Sequence, residues 1–341
     1  MWLSCSSVGR KFVMALTGAC LVLFVTFHCV MNAVAICWPA AYNSICEFLG
    51  ANWYALIASV GLAFLFILHI IYALILTVQN RKARGNVRYS IEKRPKNVEW
   101  SSKNMLVLGI VVLAFLVVHL IQFWAKMQLQ EIRGVEGAIP PAAGTLFIQE
   151  AFSLVWTPIV YIIGFVALWF HMNHGFWSMF QSCGWDNEVW IGRLKKIGCW
   201  WVSIVIALFV AQAIVFTVKA HDKDYLKDPV LREQYKDMIP AMIEKDFGPD
   251  AAQLGQQIRM SSYDQVSQGI RQMEAGMRQQ AEQMAAPEAQ EYLKNNPAAA
   301  EQFKEVQERA KGLTRVVAFF DYLEAGDNQP EMNVIEVNQP N

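Results

Sequence analysis

The residues with the greatest chemical reach in this chain are histidines set inside long apolar runs. The run 105–125, MLVLGIVVLAFLVVHLIQFWA, has no charged residue and carries His119. His28 sits in a similar run at 12–37, His69 in one at 53–78, and His171 and His174 in one at 151–180. An ionisable side chain is costly inside a bilayer, so where one occurs it faces the bundle interior and has a task. A single such histidine also reads as a hydrogen bond between helices. The repetition on four segments makes the chemistry of imidazole, a good ligand for iron in its neutral form, the stronger reading.

The elements that must hold these rings follow from length. A helix rises about 1.5 Å per residue, so some 20 apolar residues cross the roughly 30 Å hydrocarbon core. The four runs above and a fifth at 197–218, which lacks histidine, predict five membrane-spanning helices in an all-α bundle. Pro158 in the fourth run is expected to kink it. The composition agrees: of 341 residues 55% are apolar, and the 12 Trp suit aromatic belts at the two interfaces. The first run is too long for a cleavable signal peptide, and no small-residue cleavage site follows it.

Short loops set the expected orientation. The inner segments, before span one and between spans two and three and four and five, hold 13 Lys and Arg; the other two loops hold only Lys126 and Arg133. Positive-inside logic puts the N-terminus in the cytoplasm and everything after the fifth span on the outer side of a bacterial inner membrane. Residues 1–220 carry a net charge of +8 and residues 221–341 a net charge of −8. Three parts are therefore expected: a membrane domain over 1–220, a mostly helical extramembrane extension over 221–325, and a disordered tail over 326–341. Within the extension, 251–285 and 298–325 read as polar or weakly amphipathic helices, with no catalytic motif. Its expected role is a helical cap or interaction segment.

Depth along the spans sorts the histidines into two layers. His28 and His119 lie nine and six residues before the outer ends of their spans. His69 and His171 each lie nine residues before the inner ends of theirs. Two layers with two imidazoles each suit two bis-histidine haems b, the outer on His28 and His119, the inner on His69 and His171. With both axial positions filled, such a site passes electrons and leaves no place for oxygen or substrate. His174, three residues from His171, competes for the inner layer, and periodicity does not choose between them. Gly175, one turn after His171, would leave room for a porphyrin face. Gly18, Gly61, Gly109 and Gly164 allow close approach of backbone or macrocycle, or serve ordinary helix packing. Arg10 and Lys11 either meet haem propionates or anchor the topology. The seven cysteines form no CxxC or CxxCH, which argues against a zinc ribbon or covalently attached haem; Cys37 and Cys46 either pair across the first loop or stay apart.

Residues 6–32, SSVGRKFVMALTGACLVLFVTFHCVMN, resemble the opening of the cytochrome b558-type membrane anchor of succinate dehydrogenase and fumarate reductase. NRKARGNVRY (80–89), SSKNMLVLGIVVLAFLVVHL (101–120) and FHMNHGFWSMFQSCGW (170–185) are similar to the same family. The resemblance covers about residues 4–218 and implies a single-chain, five-helix, dihaem anchor. It implies partners too: a flavoprotein subunit and an iron–sulfur subunit on the cytoplasmic face, with electrons passing between the iron–sulfur chain, the two haems and a quinone, usually menaquinone. The ligands it implies are His28, His69, His119 and His171. The fourth is placed four residues before the glycine matching Gly175. The sequence departs from the family at Met31 and Gly85, and at Trp169, where some members carry a carboxylate. Glu47, the only acid before the second span, is the candidate proton acceptor at a quinone site near the outer haem, and related anchors have a glutamate in a similar loop. The basic inner loop, 81–103, is expected to face the iron–sulfur subunit. Nothing resembles a flavin or dicarboxylate site, and no feature points to nucleic acid. The rival readings are the cytochrome b subunit of another quinone-linked dehydrogenase and a haem-free membrane scaffold or transporter.

Overall fold

A computed structural model describes residues 6–50, 52–85, 99–134 and 137–325. Among them every regular element is a helix. Five helices are long and apolar enough to cross a membrane: α1 (Ser7–Cys37), α3 (Trp53–Arg84), α4 (Trp100–His119), which continues through a π-helical turn at Leu120–Trp124, α7 (Trp156–Ser182) and α8 (Glu188–Ala220). Between the first two lies α2 (Pro39–Gly50). Shorter helices α5 (Gln128–Arg133) and α6 (Gly144–Ser153) fill the stretch between α4 and α7.

The boundaries have local causes. The Ser6 hydroxyl accepts from the Gly9 N–H at 2.9 Å and caps α1, and the Asn52 amide oxygen does the same for α3 through Tyr54 at 3.0 Å. Pro39 ends α1, because the residue before a proline is forced out of the helical region; Trp38 sits at φ −147°, ψ 77°. Gly85 ends α3 at φ 70°, a left-handed angle that favours glycine.

The described residues fall into two compact units, one lying within Met1–Ala125 and Ile148–Val218, the other within Lys126–Phe147 and Lys219–Asn341. In the first, α3 and α7 pack on α1, and α4 packs on α7. No described residue of α3 is buried within the chain; Ile57, Val60 and Phe64 are each at least 60% exposed. A helix that is apolar all round and unburied by its own chain needs an apolar solvent, which fits a bilayer. Trp38, Trp53, Trp100, Trp124, Trp156 and Trp185 sit at or beside the ends of these helices, where amphipathic rings meet headgroups.

The C-terminal part of the second unit has a short 3-10 turn at Tyr225–Lys227 and then α9 (Pro229–Lys236), α10 (Ile239–Phe247), α11 (Asp250–Met260), α12 (Tyr263–Ala285), α13 (Pro287–Asn295) and α14 (Pro297–Ala325). It has its own core, in which Tyr235, Ile239, Ile243, Leu313, Val316, Phe319, Phe320 and Leu323 are at most 1% exposed. α14 is the central strut, packing on α10, α12 and α13. At one crossing Asp246 pairs with Arg315, and it lies so close to Gly312 that a Cβ there would overlap its carboxylate. Lys236, 4% exposed, is held by Glu233 and by the Ser261 carbonyl at 2.7 Å.

Several boundaries differ from the sequence reading. The fourth run is two helices, α6 and α7, with a break at Leu154–Val155. Pro158 has no N–H for the Leu154 carbonyl, which accepts from Thr157 instead at 3.0 Å. The 251–285 stretch is also two helices, because Ser262 forms a capping box with Gln265 and starts α12 afresh. The 126–147 stretch joins the C-terminal unit: Ile139, Ala143, Leu146 and Phe147 are at most 2% exposed, and Thr145 Oγ1 lies 3.0 Å from the Tyr235 hydroxyl. Cys37 and Cys46 form no disulfide. Arg88, Lys93, Arg94 and Lys96 of the basic loop, and the 326–341 tail, lie outside the described residues.

Candidate functional site

Four of the long helices bring their histidines together in pairs. The ring centres of His28 on α1 and His119 on α4 are 5.7 Å apart, with planes at 86°. Those of His69 on α3 and His171 on α7 are 6.2 Å apart, with planes at 64°. Two imidazoles bound on opposite sides of one metal ion, at about 2 Å each, put their ring centres about 6 Å apart. Each ring remains only partly buried within the chain.

The separation of the two pairs can be read on three helices. Thr17, which touches His69, lies 11 residues before His28 on α1. Gly109, whose Cβ position is 3.8 Å from His171, lies ten residues before His119 on α4. Tyr161, which touches His119, lies ten residues before His171 on α7. At the helical rise the three give roughly 15–17 Å between layers.

Hydrogen bonds indicate, at three of the four rings, which imidazole nitrogen carries the lone pair. The Thr17 hydroxyl donates to the Val13 carbonyl at 2.9 Å, so the His69 Nδ1, 3.2 Å away, must donate to Thr17. The Tyr161 hydroxyl donates to Gln122 Oε1 at 3.0 Å, so the His119 Nδ1 at 3.2 Å must donate to Tyr161. Both rings then carry their proton on Nδ1 and present Nε2 as the lone pair. At His28 the Asn32 amide, which can only donate, lies 3.2 Å from Nε2, so the lone pair is again on Nε2 but is engaged by Asn32, which a metal bound there would have to displace. Asn32 is oriented in turn by the Tyr42 hydroxyl, which donates to its Oδ1 at 3.0 Å. Burial raises the Tyr42 phenol well above its usual pKa, which keeps it a donor. The His171 Nδ1 is buried without a hydrogen-bond partner.

The π-helical turn explains Gln122. Ala125 donates to the Leu120 carbonyl at 2.8 Å, five residues back, and the widened turn begins directly after His119. Gln122, 8% exposed, faces inward there, and its Nε2 donates to the fully buried Thr157 at 3.0 Å.

His174 goes elsewhere. Its Nδ1 lies 3.5 Å from Glu99 Oε2, its ring meets Trp177 edge-on at 4.8 Å, and Lys195 reaches the other Glu99 oxygen at 2.9 Å. Burial would push the Glu99 carboxyl up, but Lys195 and His174 hold it below its usual range. The structure therefore pairs His171, and not His174, with His69.

The glycines divide. Gly18 and Gly109 lie against the His69 and His171 rings, with Cβ positions 3.5 and 3.8 Å from the two Cε1 atoms. Gly164 serves helix packing, because a Cβ there would be 2.6 Å from Phe115 Cδ2. Gly61 and Gly175 face open space. Arg10, half-buried, lies seven residues before Thr17 and so on the same side of α1; Lys11 is exposed. Glu47 is exposed on α2, five residues past Tyr42, so the first loop is a helix and not an open loop. Sequence reasoning missed Thr17, Asn32, Tyr42, Gln122, Thr157 and Tyr161. A polar residue inside an apolar span was the available signal for most of them.

Among the described residues no cluster of three or more His, Cys, Asp or Glu side chains could hold a metal ion. Each pair supplies two ligands, too few for a zinc site but the number an iron porphyrin takes from a protein. No family model, curated protein or solved structure matches the chain.

Proposed function

We propose that this chain is the membrane anchor and dihaem cytochrome b subunit of a succinate:quinone oxidoreductase, a succinate dehydrogenase or fumarate reductase. The observation that carries the reading is the pair of facing imidazole pairs, 5.7 and 6.2 Å apart, contributed by four apolar helices. His28 and His119 would hold one haem b, and His69 and His171 the other. Bound there, haem b supplies a one-electron iron couple with no open coordination position. The protein's part is to orient the rings: Thr17 and Tyr161 hold the Nδ1 protons, and Gly18 and Gly109 let backbone approach the inner pair. Arg10 is better placed than Lys11 for a propionate near that pair.

The rest of the assignment rests on the resemblance of residues 4–218. Electrons would pass between an iron–sulfur subunit on the cytoplasmic face and a membrane quinone, with menaquinone expected, while the dicarboxylate chemistry stays on the partner flavoprotein. Glu47 is the proposed proton acceptor for quinol oxidation. The N-terminus would face the cytoplasm, and the C-terminal unit the outer side of the inner membrane.

The test is haem content. Purified full-length chain should give two b-type haems by pyridine haemochrome assay, with a b-type dithionite-reduced difference spectrum. A well-folded preparation without haem refutes the reading and leaves a haem-free scaffold or transporter.

A further inference from the structure

Each histidine pair has one ring whose Nδ1 is held by a hydroxyl from a neighbouring helix. His119 on α4 donates to Tyr161 on α7, and His69 on α3 donates to Thr17 on α1. The two hydroxyls are not equivalent. Thr17 passes its own proton to carbonyls of its own helix, Val13 at 2.9 Å and Met14 at 3.1 Å. Tyr161 passes its proton to the side chain of Gln122, which is anchored by Thr157. Tyr161, Gln122 and Thr157 are 4%, 8% and 0% exposed, so no water competes and the chain of bonds polarises along its length.

We propose that Tyr161 is a positioning residue that tunes the electron affinity of the His28–His119 centre alone, through the Nδ1 proton of His119. The inference rests on the haem reading. A hydrogen bond given by Nδ1–H makes Nε2 a more basic ligand, and a more basic ligand favours the higher charge on the metal. The phenol oxygen therefore holds the iron bonded to His119 toward its oxidised form. Gln122 strengthens this by drawing the phenol proton away from the oxygen that faces the imidazole. His119 and Gln122 are three residues apart on α4, a spacing that presents both to Tyr161. Thr17 stands in the same relation to His69, so the two layers are set by separate side chains.

The experiment is a redox titration, followed in the visible spectrum, of the full-length chain in detergent. Tyr161→Phe keeps the ring that packs on Phe115, Phe152 and Phe165 and removes only the hydroxyl. Partners of this kind change metal affinity 10–100-fold, and a tenfold change in the preference for one oxidation state is about 59 mV for one electron. One of the two potentials should rise by about that amount while the other stays put. Thr17→Val should raise the other potential and leave the first. Two haems with neither potential moved by Tyr161→Phe, or with both moved together, would overturn the proposal. If Tyr161→Phe loses a haem, Gln122→Met replaces it, since it keeps the hydroxyl on His119 but removes the acceptor for its proton. A rise in the same single potential then supports the proposal, and no rise overturns it. Wild-type chain that holds no haem refutes the proposed function itself, a distinct outcome.

Discussion

Replacing His171 and His174 one at a time discriminates between two residues that are alike in the sequence. Three residues separate them, about 4.5 Å along the helix axis and about 60° around it. The His171 ring is 6.2 Å from that of His69. For His174 to take its place, α7 would have to shift by most of a turn, and His174 would have to leave Glu99, 3.5 Å away. On the proposed function, His171→Gln should therefore leave one haem per chain where the wild type should hold two. Losing a ligand should cost more than the 10–100-fold that follows loss of a group merely bonded to a ligand. His174→Gln should keep both haems. Haem per protein by pyridine haemochrome, with ligation state read from the low-temperature spectrum, makes the measurement. The reverse pattern, one haem in His174→Gln and two in His171→Gln, would refute the geometric argument.

Three further outcomes are expected. Glu99→Gln should lower the melting temperature at neutral pH and not in acid. The folded-state pKa of Glu99 is depressed, so its contribution is whole above the usual carboxylate range and is lost as pH falls through the lowered value. With Glu99 36% and Lys195 40% exposed, the pair contributes at most about 1 kcal/mol, and an equal effect at both pH values would count against it. Gly164→Ala should cost about 1–3 kcal/mol by driving Phe115 off its site, whereas Gly61→Ala, which meets nothing within 4 Å, should melt near wild type. Phe319→Ala should cost about 3–5 kcal/mol in the C-terminal unit. Hydrogen exchange should then rise in residues 219–325 and also in 137–147, and protection retained in 137–147 would contradict their shared core.

The five spanning helices were readable from sequence because a bilayer imposes a length and an apolar composition, and both are local properties. The layering of the histidines was readable for the same reason, since depth is a count of residues from a span's end. Pro158 and Ser262 also signalled breaks, although the sequence reading had only a kink at one and continuity through the other. Three things depended on tertiary packing. His171 and His174 lie on nearly the same face of one helix, so only the position of His69 and of Glu99, on other helices, separates them. The 126–147 stretch looked like a plain loop, and its apolar residues acquire a meaning only from the core they enter with Tyr235. The hydroxyls that set the imidazole protons come from helices 42 and 52 residues away in the chain. Hydrogen bonding at that separation is decided by how helices meet, and no periodicity within a single helix records it.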